Sequence, residues 1–280
     1  MKRVGGAAVL IVATTLVLTG CSSKSPAPTP TPTPSASLTP APKLFRQIYY
    51  VGDTPTGFKL FSENYPVADS GIPSLAKLIA DLLNGTAKPL DPDYFNLWGN
   101  GSLLNSIKIV GSLATVDLHI GKLNVGSEAE LRAIDEIFWT IAKFVPKITR
   151  MDLLVDGKKV ESLAGHVDAS KTFTLEPTYD VLNAVQISSL HEGEKLVSPL
   201  TVSGEACTFE ANVAWELSKS GAMVKSGAVT AKEACPTRSK WNLNLGILSP
   251  GTYQLTAKDF SAKDGSLVAQ DTKNFEIIKK

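Results

Sequence analysis

Hydrophobic positions follow a mixed rhythm between residues 44 and 175. Phe45-Arg46-Gln47-Ile48-Tyr49-Tyr50-Val51 reads as a strand, with Phe58 to Phe61 as its partner across a Gly/Pro turn. Leu75, Leu78, Ile79 and Leu82 then recur at helical spacing, with Pro73 near the start and Asn84-Gly85 at the end. Ile107 to Ile109 and the alternating Ala114, Val116, Leu118 and Ile120 flank a Gly111-Ser112 turn, which predicts a hairpin. A second helix is predicted from Ser127, with Glu130 three residues on as a capping box. Its apolar stripe is Leu131, Ile134, Phe138, Ile141 and Val145, and Pro146 stops it. Met151, Leu153 and Val155 predict one more strand, turned by Asp156-Gly157 in a type I′ turn. Two helices against a mixed sheet make an α+β layer fold.

Beyond Glu176-Pro177-Thr178-Tyr179-Asp180, a short hinge over 176–184, the helical period disappears. Strand-like segments follow at Val185–Ile187, Leu200–Val202, Phe209–Leu217, Met223–Val229, Trp241–Leu245, Tyr253–Ala257 and Phe275–Ile277. Short strands with regular turn signals over 185–280 argue for an all-β sandwich. Pro250-Gly251-Thr252-Tyr253 suits a tyrosine corner, in which the phenol bonds back to the main chain.

The first 43 residues have neither pattern. Met1-Lys2-Arg3 precedes an apolar run from Val4 to Leu18. That run is shorter than the ~20 residues needed to span a bilayer, and it suits the h-region of a secretory signal. It ends in Leu18-Thr19-Gly20-Cys21, which resembles the lipobox of bacterial lipoproteins. The resemblance implies a signal peptide over 1–20 and diacylglycerol on the Cys21 sulfur, since a thiolate is the nucleophile such a transfer needs. Residues 21–43 are nearly all Ser, Thr, Ala and Pro. Alternate prolines favour polyproline II, so this stretch reads as a spacer reaching about 50–60 Å. The expected location is the outer face of the bacterial cell membrane, held by lipid alone.

Loss of Lys2 and Arg3 with the leader leaves 26 basic side chains against 27 acidic ones. A net charge near −1 gives no basic face for nucleic acid. Cys207 and Cys235 remain after lipidation, and an even pair in an exported chain predicts a disulfide. A metal site there would need further ligands that the neighbouring sequence lacks.

Several landmarks resemble the GerMN domain of sporulation and spore germination proteins. They are Ile48-Tyr49-Tyr50-Val51, Leu82-Leu83-Asn84-Gly85, Ala114-Thr115-Val116-Asp117-Leu118, Leu154-Val155-Asp156-Gly157-Lys158 and Gly165-His166-Val167-Asp168. One departure is Leu97-Trp98-Gly99-Asn100-Gly101, which stands where the family has a Pro-Glu-Gly-like turn. In the C-terminal third, Ser198-Pro199-Leu200-Thr201-Val202-Ser203-Gly204, Phe209-Glu210-Ala211-Asn212-Val213 and Lys263-Asp264-Gly265-Ser266 resemble the immunoglobulin-like domain that accompanies spore-germination proteins. The GerMN resemblance implies a role in envelope assemblies or spore-related processes, and the immunoglobulin-like one implies binding of an envelope protein or a cell-wall polymer. Competing readings are an accessory subunit of an envelope sensor or transporter, and a peptidoglycan hydrolase.

Candidate chemistry is sparse. His119, His166 and His191 are scattered, with no metal-binding helix motif, no nucleophile elbow and no phosphate-cradling loop. Hence no catalytic residue, no metal and no cofactor is expected. Asp91-Pro92-Asp93 and Asp264-Gly265 read as turns rather than ion loops. Tyr94, Phe95 and Trp98 form an aromatic cluster that is either a recognition loop or a tuck into the core. The expected pocket lies along the hinge near Pro177 or under the Trp98 loop, with apolar and uncharged polar walls.

Overall fold

The computed structural model describes residues 44–99 and 101–279. Cys21, the leader and the Pro/Thr-rich stretch lie outside the described residues. The described chain is mostly β.

Strands β1 (Leu44–Thr54) and β2 (Gly57–Val67) form the first hairpin, with Tyr50 opposite Phe61 and Asp53 opposite Phe58. Helix α1 (Ile72–Leu83) follows, with Pro in its first turn, where a missing N–H costs nothing. Short β3 (Tyr94–Phe95) pairs with β1 and places Tyr94 opposite Gly52. A second sheet runs β4 (Leu103–Val110), β5 (Leu113–His119), β6 (Arg150–Val155), β7 (Phe173–Thr174). β5 and β6 are parallel, and α2 (Ser127–Phe144) is the crossover between them.

Helix α2 is buried on two sides. Ile134, Ile137, Phe138 and Ile141 join a core that includes Val116, Leu118 and Leu153. Trp139 packs instead with Tyr49, Val51 and Leu60. Thr140 Oγ1 accepts the Tyr49 N–H at 3.1 Å, tying helix to hairpin.

The capping box expected at Ser127 and Glu130 does not form. Gly126 is the N-cap, and no side chain caps the helix. The Glu130 carboxylate accepts the N–H groups of Leu163, Ala164, His166 and Val167 at 2.8–3.2 Å. Four unpaired loop donors converge on it, against one reachable donor at the helix start, so the loop captures the carboxylate. At Asp156-Gly157, φ values of +48° and +78° and paired bonds between Val155 and Lys158 make the predicted I′ turn. Only a single bridge follows it, not a strand.

The segment expected to be a hinge is packed. It contains one helical turn, α3 (Thr178–Val181), and Val181, Leu182 and Asn183 are buried. Leu182 bridges to Leu60, and the Asn183 N–H donates to the Leu60 carbonyl at 3.0 Å.

The C-terminal part is a sandwich of two sheets. One holds β8 (Val185–Ile187), β10 (Leu200–Ala206) and β13 (Ser239–Gly246). The other holds β9 (Glu194–Leu196), β11 (Asn212–Lys219), β12 (Ala222–Thr230), β14 (Gly251–Phe260) and β15 (Leu267–Ile277). Trp241, Leu217, Leu255 and Phe275 centre its core. β9 escaped the sequence reading because its three residues are mostly polar and pair only with the end of β15. The Tyr253 hydroxyl donates to the Ser249 carbonyl at 2.8 Å, forming the tyrosine corner. Cys207 and Cys235 are bonded, with Cα atoms 4.5 Å apart, and join the end of β10 to the loop before β13.

Candidate functional site

The densest set of titratable groups lies on the seam between the α+β part and the sandwich. It begins with Glu63 on β2, whose carboxylate accepts the N–H groups of Leu90 and Asp91 at 2.9–3.1 Å. That grip fixes the loop after α1. Asp91 then makes the expected turn: its Oδ1 accepts the Asp93 N–H at 2.9 Å, and its carbonyl accepts the Tyr94 N–H at 3.2 Å. Its second oxygen leaves the turn and meets the sandwich.

There Lys273 of β15 points back across the seam. Its ammonium donates to Asp91 Oδ2, to Asp271 Oδ1 at 2.8 Å and to the Tyr94 hydroxyl at 2.6 Å. All three of its donors are used. The Tyr94 hydroxyl donates to Asp271 Oδ1 at 2.7 Å, and Asp271 Oδ2 accepts the Ile187 N–H at 2.6 Å. The side chains of Lys273, Asp91 and Asp271 are 5%, 2% and 1% exposed. Burial opposes the charge on Lys273, but Asp271 and Asp91 outweigh it and hold its pKa above the ordinary lysine value. Burial, reinforced by Asp271 and Asp91, pushes the Tyr94 phenol far up, so it stays a neutral donor.

Packing sets the Tyr94 ring. It stacks on Phe61 with centroids 4.5 Å apart, beneath the Lys273 ammonium. Gly52 makes room for this stack, because a Cβ there would stand 2.5 Å from the Phe61 ring.

Further bonds stitch the seam on both sides. Gln186 Nε2 donates to the Ser62 carbonyl at 2.6 Å. Arg238, on the loop before β13, donates to the Asn183 carbonyl at 2.7 Å and to Glu205 at 3.3 Å. A cleft with about 30 Å³ of free volume opens beside Lys273, walled by Glu63, Asn64, Leu90, His191 and Glu192. By the size of one water, that is room for two or three at most.

This corrects the expected pocket, which was to have neutral walls near Pro177 or under the Trp98 loop. Val181 and Leu182 of the hinge and Trp98 of that loop are buried in apolar clusters instead. The carboxylates do cluster around a cleft, yet each buried one is held by internal donors. Among the described residues, no group of three or more His, Cys, Asp or Glu is placed to hold a metal ion.

The other singled-out residues fall as follows. Tyr94 and Trp98 are each 5% exposed and Phe95 is half-buried, so the aromatic cluster is core. The Trp98 indole donates to the Ala133 carbonyl at 2.8 Å. His119 sits 3.1 Å from Asp156, His166 is on the loop held by Glu130, and His191 borders the cleft. Asp264 accepts from Ser266 in a turn.

Sequence reading missed Glu63, Asp271 and Lys273. A signal was present in β15, where Ala269, Asp271, Lys273, Phe275 and Ile277 share the inward face. Two charges on an otherwise apolar stripe need buried partners.

The order of these two parts matches two family models. Residues 47–161 match Germane, described as sporulation and spore germination, and residues 184–266 match Gmad2, the immunoglobulin-like domain of bacterial spore germination. The chain joins a GerMN-like domain to a germination-type immunoglobulin-like domain. Neither family description names a catalytic activity. Among solved structures, a candidate lipoprotein from Clostridium perfringens is similar at 24% identity and a TM-score of 0.33, over 47% of this chain and 87% of that one. The tandem GerMN domains of GerM from Bacillus subtilis are similar at 15% identity and a TM-score of 0.40, over 51% and 50%. The first GerMN domain of GerM gives 16% identity and 0.37, over 45% and 92%. No curated protein matches the chain.

Proposed function

We propose that this protein is a non-catalytic, lipid-anchored component of the bacterial cell envelope that serves sporulation or germination as a binding and assembly module. Cys21 carries the anchor, residues 21–43 set the distance from the membrane, and the two domains present one composite surface to an envelope protein or a cell-wall polymer. The observation that carries the reading is the buried Lys273–Asp91–Asp271–Tyr94 network. It spends the densest cluster of titratable groups on fixing one domain against the other. A partner that engages both domains then meets a preorganised surface and avoids the entropy cost of aligning them.

The hydrolase alternative draws on Glu63, Glu192 and His191 around the seam cleft. Against it, Glu63 accepts two backbone N–H groups, Glu192 accepts the Asn274 N–H at 2.8 Å, and the cleft is too small for a sugar. An accessory role in a sensor or transporter is a special case of assembly, marked by a partner of fixed stoichiometry.

Two measurements test the reading. Cys21→Ala is expected to release folded protein from washed membranes, and a variant that still pellets after high salt refutes the anchor. Crosslinking in intact cells followed by pull-down is expected to give a defined envelope partner. Turnover of purified peptidoglycan, lost in Glu63→Gln, would replace this proposal with the hydrolase.

A further inference from the structure

A second groove, of about 360 Å³, opens at one end of the sandwich, beside the turn of residues 208–211 and the end of β14. Its walls include two aromatic rings left in water, Phe209 at 64% exposure and Phe260 at 44%. Burying a phenylalanine is ordinarily favourable, so two exposed rings on one groove need a reason.

The chain goes to some cost to hold Phe209 there. Glu210 and Ala211 adopt φ of +53° and +57°, left-handed conformations in two successive residues that are not glycine. Each is strained for a residue that carries a Cβ. The turn is pinned from below. Cys207 is disulfide-bonded, and the buried Thr208 carbonyl accepts the N–H groups of Cys235 at 3.1 Å and Ala211 at 3.3 Å. Residue 209 is thus placed outward by a covalent staple rather than by its own packing.

The polar groups of the groove are one-sided. Lys258 is neutralised by Glu216 at 2.7 Å. Asp259, half-buried on the same wall, has only the Phe260 backbone as a favourable partner, and burial pushes its pKa up to about 6. Glu210 adds a second carboxylate at the rim. Two ring faces and an uncompensated carboxylate match a cation, which the rings attract through their quadrupoles and the carboxylate through charge and hydrogen bonds. A neutral sugar would leave the Asp259 charge unpaired.

We infer that this groove is a binding site for a guanidinium or ammonium side chain carried on an exposed segment of a partner protein. The inference rests on the binding reading above and gives that reading a ligand class. Asp259 supplies the counter-ion, Phe209 and Phe260 cover the aliphatic stem and the cation, and the disulfide keeps the turn in place before the ligand arrives.

The test uses the full chain in a neutral detergent and the labelled peptide acetyl-Gly-Ser-Arg-Ser-Gly-amide, followed by fluorescence anisotropy. Its citrulline counterpart keeps the shape and removes the charge. The arginine peptide is expected to bind at least fivefold more tightly. Asp259→Asn and Phe209→Ala are each expected to abolish that preference; Phe209 is exposed, so its loss leaves the fold intact. Equal binding of the two peptides, or a preference that survives Asp259→Asn, overturns the inference. If the peptides are not distinguished while a partner is still crosslinked in cells, this site is refuted and the binding reading stands. If the peptides are not distinguished and no partner is crosslinked in cells, both fall.

Discussion

Lys273 and Asp91, 182 positions apart in the chain, form a buried ion pair across the seam between the two domains. The pair is buried with Asp271 and Tyr94, so its energetics are asymmetric. Charges removed from water together cost little net, but one left behind costs a great deal.

Lys273→Met is therefore expected to destabilise the protein by about 3–5 kcal/mol, since it strands two carboxylates in the seam. Adding Asp91→Asn to Lys273→Met should recover part of that loss. Urea denaturation of the single and double variants checks both. A single variant within 1 kcal/mol of the parent would show that the network contributes little.

Glu130 is the second buried anchor, and its loss should be local. Glu130→Ala leaves the N–H groups of Leu163, Ala164, His166 and Val167 without their acceptor, at a cost of about 2–4 kcal/mol. Limited proteolysis should then nick the loop between residues 160 and 170 first. The same carboxylate predicts a pH dependence. Burial opposes its charge, but the four N–H groups outweigh burial and lower its pKa. Its stabilisation is thus complete above the ordinary glutamate range and lost as acid protonates the folded carboxylate. Loop protection in hydrogen exchange should fall as the pH drops through and below the ordinary glutamate range, and Glu130→Gln should flatten that fall.

Reduction of Cys207–Cys235 is expected to cost roughly 3–4 kcal/mol, from the entropy of a closed loop of that length. The check is the urea midpoint with and without reductant, against Cys207→Ser/Cys235→Ser. The seam should survive reduction, because none of its bonds involves either cysteine.

Gly204→Ala tests the sandwich itself. A Cβ there would lie 2.0 Å from the Gln186 carbonyl and 2.3 Å from the Trp241 ring. Strand β8 must move away, so destabilisation of about 1–3 kcal/mol is expected. Because Gln186 also donates across the seam to Ser62, thermal unfolding should show the loss in both domains. A neutral variant would mean that β8 is not held at this distance.

Much of the protein was determined locally. The alternation of Ala114, Val116 and Leu118, the Gly111-Ser112 turn and the Asp156-Gly157 turn each depend on φ, ψ and side-chain preferences within a few residues. The tyrosine corner and the cysteine pairing also follow from neighbours in sequence or from compartment chemistry. These signals were enough to identify a GerMN-like domain followed by an immunoglobulin-like one. What only the tertiary structure decided was the use of charge. Whether Glu130 caps its own helix or holds a loop more than 30 residues away depends on which unpaired donors the fold brings within reach. Whether Asp91 is only a turn residue or the anchor of a domain seam depends on Lys273, which no local pattern links to it. Hydrophobic periodicity records which face of an element is buried, because burial scales with area and needs no particular partner. A buried charge needs one particular partner, and long-range geometry alone supplies it.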